Sequence, residues 1–277
     1  MVPANFAGTF SMTTYRAKLW TSVGAALVIG AGGLAACTDR HPEPGAGVKA
    51  GADAHGEATG HATAAVGEAG ETAAGEGGGE AGVSDAYAGI PAESRTALRI
   101  AHLKGFFLAA EKMSATNPEE AAVLAGQGML EVFDPKADLY RQAGVDEKLL
   151  RAAAEKGDRA SLQAAISTLD QAAKRVGGKP ADVVKGMVEI AAGLYSNVVT
   201  ADGVDPVEYQ HSYGAALSAQ AAADQHASDP AIQAAKADLG AFLALWPTPV
   251  APEDAAKATP VGKVKAQASR IELGLAG

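Results

Sequence analysis

From Asn117 onward one device recurs along the chain: a side-chain acceptor, often followed by proline, at the head of an alanine-rich apolar run. It occurs at Asn117-Pro118-Glu119-Glu120, Asp146, Asp158, Asp205-Pro206-Val207-Glu208 and Asp229-Pro230. Asn and Asp accept from the free N–H groups of a first helical turn, and proline suits that turn because it lacks an N–H. A glutamate three residues after the cap can reach back to it. Each such cap contributes roughly 1 kcal/mol. Between the caps, apolar residues recur at helical spacing, as in Leu162, Ile166, Leu169 and Ala173, or Val183, Val184, Met187, Ile190 and Leu194. An earlier helix, from about Ala92 to Met113, carries Leu98, His102, Leu103, Phe106 and Ala110. Gly144, Gly157 and Gly177-Gly178 stop the helices that precede them, and Ala201-Asp202-Gly203 forms a turn. No strand-like alternation lasts more than a few residues, and aromatic residues are only 5%, which disfavours sheets. The expected fold is therefore all-α, an up-and-down bundle of about six to seven helices over residues 86–247. Residues 248–277 form a linker and a C-terminal helix opened by Thr259-Pro260.

The N-terminal part obeys different rules. Tyr15-Arg16-Ala17-Lys18 precedes an apolar segment from Leu19 to Gly33, followed by Leu34-Ala35-Ala36-Cys37. A basic start, a short apolar middle and small residues before a cut site make a secretory signal, and the segment is short and glycine-rich for a membrane span. Leu-Ala-Ala-Cys resembles the bacterial lipoprotein lipobox, which implies removal of residues 1–36 and lipidation of Cys37, the chain's single cysteine. In such lipoproteins Asp directly after the cysteine tends to retain the protein in the inner membrane. Here Thr38 stands there, so the resemblance implies the periplasmic face of the outer membrane rather than the inner.

Residues 37–85 are Gly, Ala, Glu and His with almost no large apolar side chain, and read as a disordered tether. Roughly 45 flexible residues give a reach of about 35–40 Å. The tether holds His41, His55 and His61 among carboxylates, ligand types for Zn, Cu, Ni and Fe ions. Their spacing fits no fixed site. Two readings stay open: a solvated acidic spacer, or a loose tail that concentrates metal.

The stretch from Leu194 to Gly214, with Tyr195, Ala201-Asp202-Gly203-Val204-Asp205-Pro206 and Glu208-Tyr209-Gln210-His211, resembles a family of envelope helical domains found alone or beside high-affinity ferric-iron permeases. His102-Leu103-Lys104-Gly105, Glu131 and Asp138-Leu139-Tyr140 are similar to that family's first half. The resemblance covers about 95–247 and implies a divalent or ferric metal ion as ligand and a metal permease or other envelope protein as partner. One departure stands out: the family tends to carry another histidine before the acidic-tyrosine element, where this chain has Gly126-Gln127-Gly128.

On the residues alone, Glu208 and His211 share a helix face at i, i+3, a usable metal half-site in a bundle, and His102 is the nearest candidate to complete one. The competing roles are local: His102 as a hydrogen-bonded core residue and Glu208 as the capping-box partner of Asp205. Gly-x-Ser-x-Gly, His-Glu-x-x-His, a phosphate-binding glycine loop and Cys-x-x-Cys-His are all absent, and nothing assembles a nucleophile with a base, so an enzyme is not expected. The net charge of −9 disfavours nucleic acid. The sequence thus points to a lipid-anchored periplasmic helical binding protein accessory to metal-ion (iron) handling. Its alternative is a structural lipoprotein that scaffolds another envelope protein without metal.

Overall fold

The computed structural model describes residues 79–276. The segment read as a signal, together with Cys37, His41, His55 and His61, lies outside the described residues. What is described is all-α apart from one short hairpin. The helices are α1 (Gly79–Gly89), α2 (Ala92–Met113), α3 (Pro118–Gly128), α4 (Ala137–Gln142), α5 (Glu147–Lys156), α6 (Arg159–Val176), α7 (Pro180–Tyr195), α8 (Pro206–Gln225), α9 (Pro230–Leu243) and α10 (Val261–Ala276). The hairpin pairs β1 (Val199–Thr200) with β2 (Gly203–Val204) around the expected turn. Among the described residues no helix is long and apolar enough to cross a membrane.

The caps form as their chemistry dictates. Asn117 accepts from the amide of Glu120, Asp146 from Lys148, Asp158 from Ala160 and Ser161, Asp205 from Val207 and Glu208, and Asp229 from Ala231 and Ile232. The reach-back of the glutamates does not form, because the amides they would serve already have partners. The Asn117 N–H donates to the Met113 carbonyl and the Asp205 N–H to the Val198 carbonyl. Glu120 instead accepts from Asn117 Nδ2 and from Gln210 Nε2, both at 2.8 Å, tying α3 to α8.

To the helices that the sequence predicts, the structure adds α1 and a π-helical turn, each for a local reason. α1 begins inside the segment read as tether: Ala86 and Ile90 are buried and Tyr87 half-buried, a small apolar stripe that packs on α7. The helix after Asn117 breaks into α3, a π-helical turn at Met129–Phe133, a 3-10 turn at Asp134–Lys136 and α4. The wider turn keeps Met129 and Phe133 in the core and leaves Leu130 69% exposed. α10 docks on α9 and α7 through buried Val264, Ala268 and Ile271.

α2 is the central helix, buried on nearly every side and packed against α3, α6, α7 and α8. Its crossing with α8 is a backbone-to-backbone contact. A Cβ on Gly105 would stand 2.8 Å from the Gly214 carbonyl oxygen, and one on Gly214 would stand 2.6 Å from that of Gly105. Buried hydroxyls on α8 fix the neighbours: Ser218 Oγ donates to the Ala101 carbonyl at 2.6 Å and Ser212 Oγ to the Ala191 carbonyl at 2.8 Å.

Glycine-to-alanine variants separate this crossing from ordinary helix propensity. Gly105→Ala or Gly214→Ala should destabilise by about 1–3 kcal/mol despite alanine's better propensity. Gly126, in α3, has nothing within 4 Å of where a methyl group would stand, so Gly126→Ala should stabilise by up to about 1 kcal/mol. Urea unfolding of the three variants checks both signs.

Candidate functional site

The crossing places two histidines. His102 and His211 each stand three residues before the crossing glycine of their helix, in His102-Leu103-Lys104-Gly105 and His211-Ser212-Tyr213-Gly214. Close backbone approach therefore brings one turn of α2 against one turn of α8, and Phe106 lies between the two imidazoles. Its ring centroid is 5.7 Å from that of His102 and 4.6 Å from that of His211. α3 closes the third side at Gly128, where an added Cβ would stand 2.7 Å from Phe106 Cβ.

His102 is a satisfied core residue. Its Nδ1 is hydrogen-bonded to the Tyr87 hydroxyl at 2.9 Å, and the Arg99 guanidinium lies 4.5 Å from the Tyr87 ring centroid. Burial holds its pKa down to about 3, helped by the nearby His211 and Arg99 charges. Burial pushes the Tyr87 hydroxyl well above its ordinary value, so it stays protonated. α1 thus caps one imidazole of the pair.

His211 faces the rim. Its Nε2 lies 3.4 Å from Gln127 Oε1 and its Nδ1 3.9 Å from Glu131 Oε2. Burial holds its pKa down to about 4, against a smaller upward pull from Asp205. A neutral imidazole that donates Nε2–H to Gln127 presents the Nδ1 lone pair toward the Glu131 carboxylate. Glu131 Oε2 and this lone pair converge on one point, where a cation can be shared. At 3.9 Å a small side-chain shift lets both reach one ion at roughly 2.0–2.2 Å. Glu131 belongs to the π-helical turn, a backbone feature that recurs at functional sites.

Glu208 is neither the capping-box partner of Asp205 nor part of a ligand cluster. Its Oε2 is buried without a hydrogen-bond partner, and burial, with the Asp205 charge, raises its pKa. Among the described residues no three His, Cys, Asp or Glu side chains form a group that could hold a metal ion, so His102, Glu208 and His211 do not assemble as one. The structure brings His211 to Glu131 and Gln127 instead. Sequence reasoning misses Glu131 and Gln127 because their partner lies some 80 residues away; the doubled His-x-x-Gly spacing is the available signal. Gln127 stands between two glycines, in Gly126-Gln127-Gly128, and it is this side chain that faces His211.

Comparison with protein-family models, with curated proteins and with solved structures finds no match for this chain.

The two imidazoles make the fold acid-sensitive. Both have folded pKa values below the ordinary 6.5, so between about pH 6.5 and 4 the unfolded chain binds more protons and stability falls as pH falls. Each contributes about 1.4 kcal/mol per pH unit in that window. Replacing His102 by Gln should remove about half of the pair's share of this slope, read from melting temperatures between pH 7 and 5.

Proposed function

We propose that the chain is a lipid-anchored helical binding protein at the periplasmic face of the bacterial cell envelope, accessory to the handling of a metal ion. Iron is the metal and an envelope permease the partner that the family resemblance favours. The order Leu34-Ala35-Ala36-Cys37 supports the anchor. The observation that carries the metal reading is the approach of Glu131 to Nδ1 of a neutral His211. Two ligands make a half-site, whose remaining positions fall to water or to a partner's side chains. That suits transient transfer better than storage. On this reading the protein binds and does not catalyse.

A second reading, a scaffold that docks another envelope protein without metal, has its own observation. Val123 and Leu130, seven residues apart on α3 and its π turn, are 62% and 69% exposed. Large apolar side chains at helical spacing on a surface suit a partner helix or groove.

Metal titration of the mature chain with His41, His55 and His61 changed to Ala separates the two. Zn²⁺, as a redox-inert probe, should raise the melting temperature. At a hundredfold excess over the dissociation constant the rise corresponds to about 2.7 kcal/mol. His211→Ala and Glu131→Gln should abolish it and Glu208→Gln should leave it. Because His211 stays neutral down to about pH 4, the effect should persist at pH 5, whereas an ordinary imidazole would lose it through about 6.5. No shift in the parent leaves the scaffold. The anchor has a separate test: Cys37→Ala should move the protein from the membrane fraction to the soluble one, and a variant that still sediments after a high-salt wash contradicts it.

A further inference from the structure

α2, α6, α7 and α8 leave a cavity of about 220 Å³ between them, partly open to solvent. It is separate from the seam around Phe106. Lys104, which lines it, follows His102 by two residues, about 200° round α2. Most of the wall is apolar, from Ile100 and Ala101 on α2, Val183 on α7 and Ala222 on α8.

Lys104 is the unusual member of that wall. It is 6% exposed, and lysine is rarely buried so deeply. Its Nζ pairs with Asp170 Oδ1 at 2.5 Å, and the same oxygen accepts from Gln225 Nε2 at 2.9 Å. An ammonium carries three donors, and Asp170 is the one acceptor found for it among the described residues. A buried ion pair is a weak source of stability, and apolar side chains of similar volume would serve packing at least as well. Lys174, one turn beyond Asp170 on α6, also lines the cavity. Three basic side chains on the wall, Lys104, Lys174 and His226, stand against one carboxylate, Asp170, and the two lysines alone leave one positive charge unmatched.

We propose that this cavity binds a small amphipathic monocarboxylate, its apolar body among Ile100, Ala101, Val183 and Ala222 and its carboxylate on Lys104 and Lys174. The volume sets the size. An apolar cavity of about 150 Å³ accepts benzene, so this one accepts an aromatic ring or short branched chain together with its head group. The charge sets the sign. A cation would meet two ammonium groups, and a polyanion would exceed the single unmatched charge. The carboxylate gives Lys104 a second acceptor in a site of low dielectric, where a charge-assisted bond is strong. This site uses none of the residues of the metal reading and stands or falls without it.

Benzoate, benzamide and benzylamine share one apolar body and differ in charge, which makes them the probes. With the mature chain at constant ionic strength, millimolar benzoate should raise the melting temperature and shift backbone amide resonances of residues 97–104 and 218–226. Benzamide and benzylamine should do neither. Ala222→Phe, which fills the cavity, should erase the benzoate response and leave the response to Zn²⁺ as it is in the parent. Lys104→Met should weaken benzoate by at least about tenfold, the loss of one charge-assisted hydrogen bond. If that variant does not fold, exposed Lys174→Gln gives the same direction. Equal responses to benzoate and benzamide would overturn the proposal, as would no response to any of the three. A benzoate response that survives in folded Ala222→Phe would place the binding elsewhere and overturn it too.

Discussion

The contact between Gly105 and Gly214 is what the rest of the domain is arranged around. Each glycine has the other's carbonyl where its own side chain would be, so α2 and α8 meet at backbone distance. Close approach carries a cost, because glycine inside a helix is less favourable than alanine by about 1 kcal/mol. The return is geometric. With the backbones touching, the residues one turn before each glycine, His102 and His211, are pressed onto Phe106 from two helices, and α3 can lie over the same ring because position 128 is also glycine. Ser218 and Ser212 then fix the azimuth of α8 by donating to carbonyls of α2 and α7. The core around this crossing is built mainly from alanine, leucine and valine, which suits helices that approach closely.

Placing α2 at the centre gives its two flanks different chemistry. One flank holds imidazoles that burial keeps neutral, with a carboxylate at 3.9 Å from the outer one. The other holds a buried ammonium paired with a partly exposed carboxylate at the side of a cavity. Neither arrangement is what an apolar helix would choose for stability, since each keeps polar groups away from water with few partners. The two proposals, a transient metal half-site and a carboxylate pocket, both take these costs as the signature of binding, and they call on separate residues.

Much of this fold is legible in the amino-acid sequence. The caps at Asn117, Asp146, Asp158, Asp205 and Asp229 are local hydrogen bonds between neighbours in the chain, and all five form with amides of the first helical turn. What is not legible depends on distant partners. The capping box at Asp205 fails because Val198, across the hairpin, already accepts its N–H. α1 is hidden because Ala86 and Ile90 matter only once α7 is beside them, and the glycine- and glutamate-rich stretch before them dominates the composition. Met129 and Phe133 stay on the core side only because of the π turn, while Leu130 continues the exposed face of Val123, seven residues before it. At the site, the sequence points to His102 and His211 on two separate helices, and the crossing brings both rings onto Phe106. Glu208, a candidate for its i, i+3 spacing to His211, sits instead with a buried unpartnered oxygen, while Glu131 and Gln127 supply the contacts.

The central claim is that the glycine crossing buries two neutral imidazoles against Phe106, with one of them bonded through Nε2 to Gln127. Side-chain ¹⁵N chemical shifts of His102 and His211, followed from pH 7 to 5, read protonation and tautomer directly. The account gives two neutral rings throughout that range, with His211 carrying its proton on Nε2. A His211 that titrates near 6.5, or a neutral His211 protonated on Nδ1, would contradict it.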